Sequence, residues 1–224
     1  MNITPYRFFD ILVALFVAVL LISNIASTKI LTLWKFTFDG GTILFPLSYI
    51  FGDILTEVYG FRRSRRVIWL GFFSALLMSL VLYVVQVLPP ASDWPNQQAY
   101  ETILGFVPRI VLASLVAYFM GAFSNAVTLS LLKIRTKGKL LWVRTIVSTI
   151  IGEGIDTIIF CMVAFYGALP DNLLWAVILS NYIFKCSVEI VFTPLTYMVV
   201  NFLKKIEKID VFDNGINYNP FQIT

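Results

Sequence analysis

Histidine is absent from this sequence. That removes the commonest ligand of catalytic zinc and the usual general base near neutral pH. Charge is scarce as well: 13% of the residues are Asp, Glu, Lys or Arg, against 58% hydrophobic. A soluble domain of 224 residues has neither so few charges nor so large an apolar share. Cysteine is limited to Cys161 and Cys186, both inside apolar runs and without ligand spacing, so they read as buried free thiols rather than a disulfide. There is no P-loop, so any use of ATP would require a separate subunit. No paired-aspartate metal motif and no nucleophile signature appears, so an enzyme, a cofactor and a bound metal are all unexpected, including an enzyme acting on lipid head groups with paired acids.

What remains is a series of long apolar runs, which reads as an all-α integral membrane protein. Six spans are expected, near 8–30, 42–60, 67–88, 107–132, 144–169 and 172–203, in a single domain covering 1–224 with a tail at 204–224. The first run follows only Arg7 and continues into Ser23, Asn24 and Ser27 without a cleavage site, so it reads as a spanning helix and not a signal peptide. Arg7, the Arg62–Arg66 cluster, the cations from Lys133 to Arg144, and Lys204, Lys205 and Lys208 then fall on one side, 13 of the 17 Lys and Arg. The positive-inside rule places both termini and the basic loops in the cytoplasm. These clusters read as topology signals; nucleic-acid binding is not expected of them. Between spans one and two, Thr32, Trp34, Phe36 and Phe38 alternate before Asp39-Gly40-Gly41, which suggests a small extracytoplasmic β-hairpin or an irregular aromatic belt. The stretch beginning at Pro89 reads as a loop leading into an interfacial helical turn.

An echo runs through the chain at an offset of about 100 residues. "SNIASTKIL" from Ser23 resembles "SNAVTLSLL" from Ser124, and "SYIFGDI" from Ser48 resembles "STIIGEG" from Ser148. Halves of three spans each, near 8–88 and 107–203, would run in opposite directions, the inverted 3+3 repeat of many secondary transporters.

Ionisable residues inside these runs are the candidates for function. Asp on insertion scales costs about 2.5–3.5 kcal/mol at bilayer depth, so it normally faces a cavity or a partner. Asp53 and Glu57 share a helical face with Tyr49; Glu153 and Asp156 lie three apart; Asn181, Lys185 and Glu189 follow at steps of four. Asn24 and Asn125 take matching places in the two halves. Bland readings stand beside these. Glu57 is either a gate or the partner of Arg62 or a neighbour. Lys185 and Glu189 are either part of a site or a structural ion pair. Asn24 and Asn125 are either ligand contacts or helix–helix hydrogen bonds. Internal carboxylates outnumber the one internal cation, Lys185, which leaves some of them awaiting a ligand or a proton. If transport is proton-coupled, Glu153 and Asp156 are the expected pair.

The segments "SNIASTKI", "FPLSYIFGDILTEVYGFRRSRRVIWLGF" and "GEGIDTIIF" resemble the queuosine precursor transporter family, also described as a vitamin uptake transporter family, over about residues 8–203. The resemblance implies uptake of a 7-deazaguanine: preQ0, preQ1 or queuine. Such a ligand is flat and aromatic, suited to stacking on Tyr and Phe. Its N1–H and 2-amino group are adjacent donors that a single carboxylate accepts together, with Asp53 the expected acceptor and Glu57 assisting or closing the cytoplasmic side. Asn24, Asn125, Asn181 and Lys185 are candidate donors to its carbonyl oxygen. Proton or cation coupling and a homodimer are compatible with the chain. The competing reading is the substrate-binding membrane subunit of an ATPase-driven vitamin importer.

Overall fold

The computed structural model describes residues 6–26, 29–33, 36–104, 108–167 and 170–221. Helix α1 covers Phe9–Ala26 and leads to a pair of short antiparallel strands, β1 (Ile30–Leu33) and β2 (Phe36–Asp39). Ile30 lies opposite Asp39, and Leu33 opposite Phe36. The expected turn at Asp39-Gly40-Gly41 is not where this pair reverses, because β2 ends there and a 3₁₀ turn, Gly40–Ile43, begins. Trp34 lies outside the described residues. Gly40 is needed for a different reason: a Cβ there would sit 2.5 Å from the Ala26 carbonyl oxygen. Its N–H donates to the Lys29 carbonyl at 2.7 Å.

The rest is helical: α2 (Phe45–Tyr59), α3 (Phe61–Val87), α4 (Gln97–Leu104), α5 (Pro108–Arg135), α6 (Leu141–Phe165) and α7 (Asp171–Glu207). Five of them, α1, α3, α5, α6 and α7, are long and apolar enough to cross a membrane. Their outward faces carry exposed aliphatic side chains such as Leu77 and Val191, as lipid contact requires. The expected second span, α2, falls short. Its 15 residues rise roughly 22 Å at 1.5 Å each, against about 30 Å of hydrocarbon. It is also the helix most enclosed by protein, packed on α1, α3, α5 and α7, with Tyr49, Asp53, Thr56 and Glu57 all buried. Pro46 occupies its first turn, where the missing N–H costs nothing. Gly60, at φ +84°, separates it from α3. Helices α5 and α6 make the closest pairing. A Cβ on Gly152 would lie 3.0 Å from the Gly121 carbonyl oxygen and 2.7 Å from the Asn125 Cβ. The interfacial turn expected after Pro89 is the eight-residue α4, whose Gln97 amide donates to the Gln86 carbonyl at 3.0 Å.

The ends of the helices that carry the basic clusters gather at one place. The Phe8 N–H donates to Glu207, the Arg65 guanidinium to the Asn217 and Asn219 carbonyls, and Lys133 to the Val211 carbonyl. The sequence reads these cations as topology signals; in the structure Arg65, Lys133 and Arg144 are buried as well. At their centre is Glu57, whose Oε1 lies 2.9 Å from Arg144 Nη2, 2.6 Å from Lys204 Nζ and 3.6 Å from Lys133 Nζ. Arg62, the expected partner, is not among them. Asp210 joins at 2.6 Å from Lys133 and 2.9 Å from Lys204.

The segment after α7 is a strap rather than a free tail. Asp213 accepts from the Phe61 N–H at 2.8 Å and from the Ser130 hydroxyl at 2.6 Å. The Pro220 carbonyl accepts from the Trp69 indole at 2.8 Å. Val211 and Asp213 close over Gly60, where a Cβ would meet Val211 Cγ1 at 2.7 Å. Burial alone would raise the carboxyl of Asp210, but hydrogen bonds from Lys133 and Lys204 outweigh it and hold it below the ordinary carboxylate range.

Two expectations follow from this end of the bundle. Glu57→Ala strands Arg144, whose only carboxylate partner among the described residues is Glu57; the change lowers stability by about 3–5 kcal/mol. The double variant Glu57→Ala/Arg144→Leu recovers a large part of that loss. Melting temperatures in detergent decide, and a double variant no better than the single one counts against the pairing. The second expectation concerns acid. A carboxylate depressed on folding stabilises in full above its unfolded value, about 3.9 for Asp, and loses that contribution as pH falls through its lower folded value. Asp210 is part-exposed, so the effect is small. The gap in melting temperature between the native chain and Asp210→Asn therefore closes below about pH 4.

Candidate functional site

One turn along α2 from Glu57 the surroundings change. Asp53 is fully buried, and its Oδ1 accepts from the Asn125 amide nitrogen of α5 at 2.5 Å. Its Oδ2 has no partner among the described residues. Neither Lys185 nor an arginine reaches Asp53 among the described residues, so it is not half of a structural ion pair. A cleft beside it is lined by Phe16, Ser48, Tyr49, Gly52, Tyr118 and Asn125. Gly52 faces open space: a Cβ built there meets nothing within 4 Å. The Tyr49 hydroxyl points across to α6 and donates to the Gly152 carbonyl at 3.5 Å, a long bond. The Tyr118 hydroxyl and the Asn125 carbonyl oxygen are buried without partners. Orphaned polar atoms at this density are uncommon in a folded interior and call for a water, an ion or a ligand as partner. Tyr118 was not legible as a site residue, because one Tyr in an apolar helix carries no signal of its own.

The second part of the cluster lies between α6 and α7. Lys185 Nζ is 2.7 Å from Asp156 Oδ2 and 3.1 Å from Glu153 Oε2. The Glu153 contact is an ion pair without hydrogen-bond alignment, and both Glu153 oxygens lack a hydrogen bond. Phe45 closes over the ammonium, 4.7 Å from ring centre to Nζ. Glu189 is not the partner of Lys185. Its two oxygens are buried and unpartnered, and the charges of Asp53 and Glu153 act on it. The alternative of a Lys185–Glu189 ion pair is therefore corrected: Lys185 turns to α6, where two carboxylates compete for it.

The structure thus gathers Tyr49, Asp53, Asn125, Glu153, Asp156, Lys185 and Glu189 around the meeting of α2, α5, α6 and α7. It leaves Asn24 apart, since its amide donates to the Leu20 carbonyl of its own helix at 2.8 Å. Asn181, half-buried one turn before Lys185, makes no hydrogen bond among the described residues. Glu57 belongs to the lock at the basic end and not to this cluster. Among the described residues no three His, Cys, Asp or Glu side chains come together as a metal site. Cys161 is buried and Cys186 half-buried, both as free thiols.

Comparison with known proteins gives this arrangement a context. Residues 39–199 match the family described as putative vitamin uptake transporter. A probable queuosine precursor transporter of Bacillus subtilis (strain 168) is 32% identical over 176 residues, which cover 78% of this chain and 77% of the relative. The queuosine precursor transporter of Escherichia coli (strain K12) is 30% identical over 170 residues, 74% of each chain. A probable queuosine precursor transporter of Haemophilus influenzae is 29% identical over 174 residues, covering 75% of this chain and 72% of the relative. No solved structure matches. These relatives are named as transporters and not as enzymes. With apolar helices of spanning length and a family match over most of its bundle, the chain is a multi-pass membrane protein belonging to the putative vitamin uptake transporter family.

Proposed function

We propose that the protein imports a queuosine precursor, a 7-deazaguanine, across the bacterial cytoplasmic membrane as a secondary transporter. The observation that carries the reading is Asp53. It is held on one oxygen by Asn125, bare on the other, and set beside an aromatic cleft. A planar base with adjacent N–H donors satisfies the bare oxygen and stacks on Tyr49 or Tyr118. The relatives, named as queuosine precursor transporters, support the same substrate class.

Six crossings fit this reading better than five. The start of α1 and the start of α3 lie at the same end, tied to Glu207 and to Asp213. Since α1 leaves that end, the chain has to come back before α3, and α2 with its preceding 3₁₀ turn supplies the return. Both termini then lie in the cytoplasm with the basic clusters, and the β1–β2 pair lies outside. A single transport domain with inverted halves near 8–88 and 107–203 follows. In this state Asn125 reaches the acid of the other half, while Asn24, at the matching place, bonds its own helix. Exchange of conformations between the halves gives the opposite-facing state, with Asn24 turned toward Glu153.

Two measurements test this. In liposomes, the purified chain accumulates preQ0 unaided; failure without an added ATPase favours the binding-subunit alternative. Asp53→Asn abolishes binding and leaves folding intact. The new carbonyl still accepts from Asn125, but its amide opposes a ligand donor, and the unpaired donor alone costs about 1–3 kcal/mol. Melting temperature with and without ligand reports both, and an undiminished ligand-induced shift in the variant refutes the assignment. For the exchange of halves, Asn125→Ala weakens equilibrium binding, whereas Asn24→Ala slows transport with little change in binding. Equal losses of binding in the two variants would sink the exchange.

A further inference from the structure

The interior cluster does not balance. Asp53, Glu153, Asp156 and Glu189 are four buried carboxylates, and Lys185 is the one cation among them. Lys133, Arg144 and Lys204 are committed to Glu57 and Asp210 at the basic end. Asp53 has Asn125, and Glu153 and Asp156 share Lys185. Glu189 has nothing: it is 1% exposed, and both of its carboxylate oxygens lack a partner among the described residues. The charges that act on it are those of Asp53 from α2 and Glu153 from α6, neither of them a cation. An ionised carboxylate so placed, desolvated and beside like charges, is not sustained without a compensating positive charge. Among the described residues no third His, Cys, Asp or Glu completes a metal-type cluster there. A proton needs no ligand shell.

We propose that Glu189 is the proton-carrying site that couples substrate import to the proton gradient. The inference rests on the import reading above and replaces Glu153 and Asp156 as the exchanging pair, because both lie within ion-pair distance of Lys185 while Glu189 reaches no cation among the described residues. The cycle balances simply. A proton adds to a Glu189 oxygen from the outside, travels with the substrate, and leaves to the cytoplasm when the site faces inward. The sign of the coupling follows from closure. Open to water, the Glu189 carboxylate is ionised near pH 7. Closing around a ligand that holds Asp53 as the second carboxylate buries Glu189 beside like charge, so the closed, loaded site takes up one proton there. Pro194 lies just beyond Glu189 on α7 and removes the backbone donor that the Ile190 carbonyl would otherwise have. The Thr193 hydroxyl donates to the Glu189 carbonyl at 2.9 Å, a back-bond that also favours a bend beside the site.

The test is calorimetric titration of the full chain in detergent with preQ0, which carries no group titrating near pH 7, in buffers of contrasting ionisation enthalpy. Wild type takes up about one proton per ligand bound. Glu189→Gln, which mimics the protonated acid, gives a binding heat independent of buffer; in liposomes it loses accumulation driven by an inward proton gradient. Glu189→Asp retains both. Binding without proton uptake in wild type, or uptake that persists in Glu189→Gln, overturns the proposal, as does accumulation that follows a sodium gradient and ignores the proton gradient. No binding heat for any deazaguanine overturns the import reading itself and the coupling with it. If Glu189→Gln fails to fold, the wild-type titration and Glu189→Asp still decide.

Discussion

Charge inside this bundle has to be neutralised locally, and most of the architecture follows from how that is done at two levels of α2. In a medium that does not solvate ions, an unmatched carboxylate costs several kcal/mol, while a matched one is tolerated only with good geometry and further hydrogen bonds. At the basic end Glu57 faces Arg144, Lys204 and Lys133, and Asp210 takes up the surplus positive charge. One turn away, Asp53 has an amide and no cation. The same chemistry is saturated in one layer and short in the next. A saturated layer needs no ligand and holds helices together. A short layer is completed by what it binds.

The strap explains why the saturated layer lies where it does. Helices α2 and α3 are separated only by Gly60, and that break would be a weak point if left open. Asp213 caps the Phe61 N–H at the start of α3, and the same oxygen accepts from Ser130 on α5. Tyr218 packs on Phe61, with ring centres 5.0 Å apart. Arg65 and Trp69 bind backbone carbonyls further along the strap. One short segment thereby ties α3, α5 and α7 around the break, with backbone acceptors satisfying buried cationic donors that would otherwise be costly.

The apolar runs, the basic clusters and the acids at helical spacing made the membrane bundle and most of the interior cluster readable from the sequence, because burial and periodicity are local properties. Partner choice was not. Lys133 and Arg144 follow apolar runs as topology signals do, and nothing in their spacing says that both turn inward to an acid more than seventy residues away. Lys185 was read beside Glu189 because four residues separate them, yet Glu153 and Asp156 on α6 offer two carboxylates, and the tertiary contact outweighed the local one. The strap was read as a tail because its acids and aromatics, Asp210, Phe212, Asp213 and Tyr218, lack helical periodicity. In hindsight, acids and aromatics directly after Lys204, Lys205 and Lys208 are the composition of a segment that folds back on a basic surface. The expected span 42–60 and α2 stop together at Gly60; the difference in length lies at the other end, where Gly40–Ile43 form a 3₁₀ turn before Phe45.

Asp53 and Glu57 lie four residues apart on one face, roughly 6 Å along the axis. A helix this short and this enclosed moves as a body, so the two layers cannot move independently. Any rearrangement that opens the basic end pulls Glu57 away from Arg144 and Lys204, and the same motion displaces Asp53 relative to Asn125 and Glu189. On the proposed import reading, a ligand held by Asp53 would resist displacement of α2 and so favour the closed lock. The lock and the site are then two ends of one lever, and the strap, fixed to the Gly60 break at its end, sets how freely that lever moves. Coupling between binding and opening requires no longer pathway than one turn of helix.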